Sequence, residues 1–375
     1  MGKTYNGKPD AEKAPVLANC GRPKSNEKLK KKFNCGLELL RLLMCFAVVA
    51  THFWDYHTFY PNNDAPWYLQ FVKVMRPYAV PVFMLMTFYL SSEKIIAADG
   101  AWLGRRFRRL LVPFVGWTFL TFALFKALTP LSPKFACTFR DLWLQMLLGT
   151  TKALGSQMWF QAVLIILTAF FAVFFRVIRP KVVFSALVLT FLMAVAIEYS
   201  GLNFWLFKDG IYEVRNPLGR VFPMLSYACV GLLLGMQKPR FAQLPQASRR
   251  WWAIIGFCVT AFVINFPVFV VPDGFYYRGL NMLVIAVALM MSFALQPFGT
   301  LPNWAEKALL VFSRHSMGIY LVHMLVGRVL TVFLYPHIGL QPQCFSGTFL
   351  VFFASWLLCF ALARILPEPL KPLVV

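Results

Sequence analysis

The chain has 375 residues, of which 59% are apolar and only 14% charged, with a formal net charge of +22. Soluble domains carry about one quarter charged residues, so the composition excludes a soluble multidomain protein and favours one bundle in lipid. The cationic surplus does not mark a nucleic-acid binder, because lysines and arginines gather between apolar runs rather than on a patterned basic face.

Residues 1–34 are polar and lysine-rich and lack the apolar core of a signal peptide, so they are expected to form a disordered cytoplasmic tail. The membrane domain is expected over 35–370. Apolar segments then recur at Leu37–Trp54, Val74–Leu90, Leu110–Leu128, Met158–Val177, Val182–Tyr199, Arg220–Met236, Trp251–Val270, Leu280–Gln296, Val311–Leu334 and Phe349–Leu366. Each is near the ~20 residues that a helix needs to cross a bilayer. Helices are required because backbone in lipid must satisfy its own hydrogen bonds. The expected fold is therefore all-α, a polytopic transmembrane bundle of about ten spans. The pieces Asp141–Gly149 and Leu202–Phe207 are too short to cross and are expected to be interfacial or re-entrant.

Alternate links carry most of the cations, including Lys94, Arg176, Arg179, Lys181, Lys238, Arg240, Arg249 and Arg250, whereas the opposite links hold few, such as Lys126, Lys134 and Arg140. That asymmetry predicts both termini in the cytoplasm of a cell whose plasma (inner) membrane holds the protein. None of the eight cysteines forms a Cys-x-x-Cys pair. Cys137 and Cys344 fall in expected outer loops, where they could pair. No His, Cys or Asp cluster has metal spacing, so no metal cofactor is expected. Gly-x-Ser-x-Gly, Walker and dinucleotide motifs are lacking.

The first segment contains residues that lipid disfavours. Arg41 and His52 are eleven residues apart, about 16 Å along a helix and nearly on one face. Glu38 is one turn before Arg41 and Asp55 three residues after His52, so each is placed to pair with its neighbour. Ionisable groups within a span cost several kcal/mol unless they face the bundle interior, which makes them functional candidates. The same logic selects Arg76, beside Pro77 and Pro81 where a kink is expected, Arg220, which opens the sixth segment, and His323, deep in the ninth. The run Arg105-Arg106-Phe107-Arg108-Arg109 serves either membrane topology or the grip of a phosphate-rich ligand. His315 and His337 lie near segment ends and are expected to be structural or solvated.

These residues occur within stretches that resemble the acyltransferase-3 membrane family. Glu38-Leu-Leu-Arg41 with His52 after ten further residues is similar to its Arg-x10-His signature. Ala79-Val-Pro-Val-Phe-Met-Leu-Met86, Arg105-Arg-Phe-Arg-Arg-Leu-Leu-Val-Pro113, Met158-Trp-Phe-Gln-Ala-Val-Leu164, Arg220 with Gly231-Leu-Leu-Leu-Gly235, and Ser313-Arg-His-Ser-Met-Gly-Ile-Tyr-Leu-Val-His323 match further stretches in order. Thr87-Phe88 departs from the family's usual Ser-Gly, and the chain lacks the extracytoplasmic hydrolase-like domain of some members. The resemblance implies transfer of an acyl group, usually acetyl, from cytoplasmic acyl-CoA to a hydroxyl of a cell-surface or lipid-linked glycan. It implies His52 as catalytic residue with Arg41 and Asp55, a donor grip by Arg105, Arg106, Arg108, Arg109, Arg76 and Arg220, and a substrate cavity at Glu38 and His323. A transporter, a flippase or a non-catalytic partner in polysaccharide assembly is the alternative that embedded Arg and His also allow.

Overall fold

The structure, a computed structural model, describes residues 34–55, 66–149, 154, 157–200, 219–265, 280–295, 301–341 and 343–374. Residues 1–33 of the expected tail and the piece Leu202–Phe207 lie outside the described residues.

Helix α1 (Cys35–Phe53) starts at a cap that also ties it to the bundle. Asn34 Oδ1 accepts from the Leu37 N–H at 3.0 Å, and its Nδ2 donates to the Ala294 carbonyl at 2.9 Å. At its other end Trp54 turns to extended backbone (φ −99°, ψ 113°). The expected second segment is divided: α2 (Trp67–Met75), a 3₁₀ turn (Arg76–Tyr78) and α3 (Ala79–Ile96). The change falls at Pro77, which has no N–H for the helical ladder. Asp99 Oδ1 accepts from the Trp102 N–H and starts α4 (Gly100–Leu128). The 29 residues of α4 reach ~44 Å, beyond the ~30 Å of hydrocarbon, so the helix extends past one membrane face.

Helix α5 (Phe139–Leu148) has a capping box between Thr138 and Asp141 and stops at Gly149, whose φ is +71°. Its 10 residues cover only ~15 Å, too short to cross the hydrocarbon. There follow α6 (Trp159–Val177), α7 (Val183–Tyr199), α8 (Val221–Met236), α9 (Lys238–Gln243), α10 (Gln246–Asn265), α11 (Leu280–Ala294), α12 (Asn303–Arg314), α13 (Ser316–Phe333), α14 (Tyr335–Ile338), α15 (Phe345–Ile365) and a 3₁₀ turn (Glu368–Leu373). No strand occurs among the described residues.

All ten expected segments are helical over most of their length, and 7 helical stretches are long and apolar enough to cross a membrane. These are α1, Trp67–Ile96, α4, α6, Pro180–Glu198, α13 and α15. Helices α8 and α11 are apolar but have only 16 and 15 residues. Helix α10 begins with the polar turn Gln246-Ala-Ser-Arg-Arg250. The ninth segment starts later than expected: the backbone breaks at His315, and α12 before it buries only Leu309 and Ser313. Cys137 and Cys344 are both free thiols, not a disulfide.

The fold is organised around α1, which packs against α2, α3, α11, α12, α13 and α15. The most extensive helix pair is α3 with α8. Small residues permit its closeness: a Cβ on Gly231 would sit 2.6 Å from the Leu85 carbonyl oxygen, and one on Gly235 2.9 Å from that of Tyr89. Without a hydrophobic drive between helices in lipid, such close backbone packing is a main source of association. The last turn folds back onto α4. Trp117 Nε1 donates to the Leu373 carbonyl at 2.6 Å, and His315 Nδ1 to that of Val374 at 2.9 Å.

Candidate active site

Arg41 and Glu38 are brought together as an ion pair with Nη1 2.7 Å from Oε2, both half-buried. The pair is local, spanning one turn of α1. Three turns on, His52 lies in the last turn of the same helix. It keeps accessible surface there.

The neighbour of His52 is a second histidine. The His52 and His323 rings have centroids 5.2 Å apart and planes inclined by 41°. His323, in α13, has no accessible surface. Its Nδ1 lies 2.7 Å from the Tyr320 carbonyl oxygen and 3.2 Å from that of Ile319. Carbonyl oxygens only accept, so Nδ1 carries the proton and Nε2 of the neutral ring carries the lone pair. That Nε2 is buried and has no hydrogen-bond partner. Phe53 and Tyr320 flank the His323 ring at 6.2 and 6.0 Å.

Two arginines act at this end of α1. Arg220 occupies the N-cap position of α8 without a side-chain cap bond, stacks over Trp159 at 4.1 Å from the ring centroid, and lies within electrostatic range of His52. Arg76 donates from Nη1 to the Trp54 carbonyl at 2.7 Å and reaches that of Ala50 at 3.4 Å. Ala50 lies in the last turn of α1, where its carbonyl also accepts from the Trp54 N–H, and Trp54 is the residue that ends the helix. Arg76 therefore fixes the helix end that carries His52.

Asp55 is not placed as the sequence suggests. Its i+3 relation to His52 presumes a continuous helix, yet α1 stops at Phe53 and Trp54 is extended. Asp55 is exposed, and its backbone N–H donates to the Gln343 carbonyl at 3.1 Å.

The arginine run of α4 divides in two. Arg105, Arg108 and Arg109 are exposed. Arg106 is buried, with Nε 3.3 Å from Thr168 Oγ1 and Nη1 2.8 Å from Ser91 Oγ. Its guanidinium lies over Trp102 and over Phe88, the residue of the Thr87-Phe88 departure. Its Nη2 is buried without a hydrogen-bond partner.

Sequence reasoning missed Tyr320, Gln157 and Gln161. The Tyr320 hydroxyl donates to the Gln157 carbonyl, joining the approach to α6 to α13 beside His323. Gln161 Nε2 donates to the Leu110 carbonyl at 2.5 Å, in the turn that Pro113 disturbs. Gln161 is a polar residue in an otherwise apolar run, a signal the sequence did carry. Ser91 and Thr168 carried none. On another face of α1, an apolar cavity of about 510 Å³ is lined by residues including Leu40, Met44, Ala47, Met75, Phe257 and Leu289. It holds none of the site residues above. Among the described residues no group of three or more His, Cys, Asp or Glu is placed to hold a metal ion.

The arrangement offers a lone-pair imidazole nitrogen, a second imidazole against it, and fixed positive charge, all within helices apolar enough for lipid. Such a set suits proton transfer and anion stabilisation away from bulk water. Comparison with curated proteins and with solved structures finds no match for the chain. The model of one family, described as an acyltransferase domain, matches residues 34–364, from the cap of α1 to the last turn of α15. The chain belongs to the acyltransferase-3 family and is a membrane acyltransferase.

Proposed function

We propose that the protein moves an acyl group, acetyl in the simplest case, from cytoplasmic acyl-CoA to a hydroxyl of a cell-surface or lipid-linked glycan, from a seat in the inner plasma membrane. The observation that carries this reading is the contact between His52 and His323 beside Arg220. A thioester donor and a hydroxyl acceptor need a base for the hydroxyl proton and a cation for the oxyanion of the tetrahedral intermediate.

The exposed Arg105, Arg108 and Arg109 face water at one end of α4 and suit the phosphates of CoA, since the guanidinium fork matches phosphate oxygens. Arg106, buried above them with one uncommitted Nη2, extends that positive path inward. Arg41, held by Glu38, lies on the face of α1 that leads to His52. His52 meets the acyl carbon, as base or as carrier. Arg220 stabilises the oxyanion, Arg76 holds the end of α1, and Asp55 is a second group near that end. Membrane lipids surround the bundle and present a lipid-linked acceptor without its leaving the bilayer.

The test uses cells lacking the gene, complemented with the wild-type chain or with His52→Ala at equal membrane abundance. Mass spectrometry of their surface glycans should show one acyl group restored by the wild type alone. Full restoration by His52→Ala would sink the assignment.

A further inference from the structure

The two imidazoles differ in what they leave free. His52 is accessible, whereas His323 has no surface and spends its Nδ1 proton on backbone carbonyls. Leaving a buried polar atom without a partner costs about 1–3 kcal/mol. His323 Nε2 is such an atom, and its ring lies against that of His52. It can only accept a hydrogen bond in the neutral ring. A hydroxyl donates one. Gln157 Oε1 and Gln161 Oε1 are likewise buried acceptors without partners, on the approach to α6 and in its first turn, where Tyr320 is anchored. Two of the three unfilled groups are amide oxygens and one is a base.

We propose that the two histidines divide the transfer: His323 Nε2 is the general base for the acceptor hydroxyl, and His52 carries the acyl group between donor and acceptor. This rests on the acyltransferase reading above. In the first half a ring nitrogen of His52 attacks the thioester carbon of acyl-CoA. The C–S bond breaks, and the ring proton lost on acylation goes to the CoA thiolate, so free CoA leaves. In the second half the acceptor hydroxyl gives its proton to His323 Nε2 while its oxygen bonds to the acyl carbon. The C–N bond to His52 breaks, and His323 returns the proton to the departing His52 nitrogen. Fixing Nδ1 on carbonyls keeps the His323 lone pair on the side of the acceptor throughout.

The experiment separates the halves with a nucleophile that needs no base. Hydroxylamine is neutral and strongly nucleophilic near pH 7, so it takes an acyl group without general-base help. Purified full-length protein with acetyl-CoA and hydroxylamine is assayed for hydroxamate above the no-protein rate. The same variants are expressed in the deletion strain and assayed for base-labile acetyl on surface glycans. His323→Gln and His323→Asn should lower glycan acetylation by ~100-fold or more while hydroxamate formation stays within ~threefold of wild type. His52→Ala should lose both. Retained hydroxamate formation also shows that a variant is folded. The division of labour is overturned if both His323 variants acetylate glycans normally. It is equally overturned if both lose hydroxamate formation as fully as His52→Ala, or if the wild type makes none. His52→Ala that keeps both activities would overturn His52 as the carrier, whereas a wild type that restores no acetyl to surface glycans would instead overturn the underlying reading of the acceptor.

Discussion

At the N-terminal end of α1, Arg41 meets Glu38 one turn away on the same helix; at the C-terminal end, His52 meets His323 of α13, and Arg76 from the turn after α2 bonds the carbonyls of that helix end. The first arrangement is self-contained and partly open to solvent, with side chains 26% and 19% exposed. Exposed or half-exposed pairs of this kind contribute about 0–1 kcal/mol. The second is held by several elements at once, so its geometry reports the whole bundle. Charge in lipid is tolerated at the first end by local neutralisation. At the second, the two imidazoles are brought together by separate helices, with Arg76 on the carbonyls at the end of α1.

The largest effect that would break this contrast lies at the second end. His52→Ala should reduce acyl transfer at least ~100-fold without changing the abundance or the elution profile of the protein in detergent. Arg220→Gln should come next, with kcat down ~100-fold and the KM for acetyl-CoA little changed, because an oxyanion contact is made only in the transition state. If KM rises and kcat holds, Arg220 belongs to donor binding. The arginine run sharpens the comparison further. Arg105→Gln with Arg109→Gln should raise the KM for acetyl-CoA by ~tenfold at unchanged thermal stability. Arg106→Gln should lower stability by about 1–3 kcal/mol in a thermal unfolding assay, since Ser91, Thr168 and two rings lose a shared partner. The smallest change is expected at the first end. Glu38→Gln should alter stability by less than about 1 kcal/mol, and a large loss of transfer there would show that the Arg41 charge must be balanced for function.

The sequence carried the helical segments well because length and apolarity suffice to place a helix in lipid, and Leu37–Trp54 matches α1 within a few residues. It also carried Arg41 with Glu38, since helix spacing alone joins them. The i+3 relation of Asp55 to His52 does not extend past Phe53, because a helix end is set by local backbone. The sequence did not show that Arg76 bonds the carbonyls at the end of α1, because these are 22 and 26 positions earlier in the chain. The His52 to His323 contact joins α1 to α13 across most of the chain, a relation no periodicity encodes. Arg106 reads like its three neighbours in sequence, yet its heptad position turns it inward while theirs turn outward.

The return of the chain onto α4 makes a seat whose tightness bears on the helix that carries His323. Val374 has no accessible surface, and its carbonyl is taken by His315 at the break before α13. The α13 backbone beside it admits no side chain at Gly318, where a Cβ would lie 2.9 Å from the Val374 oxygen. Gly318→Ala would have to push this seat open, loosening the entry to the helix that holds His323.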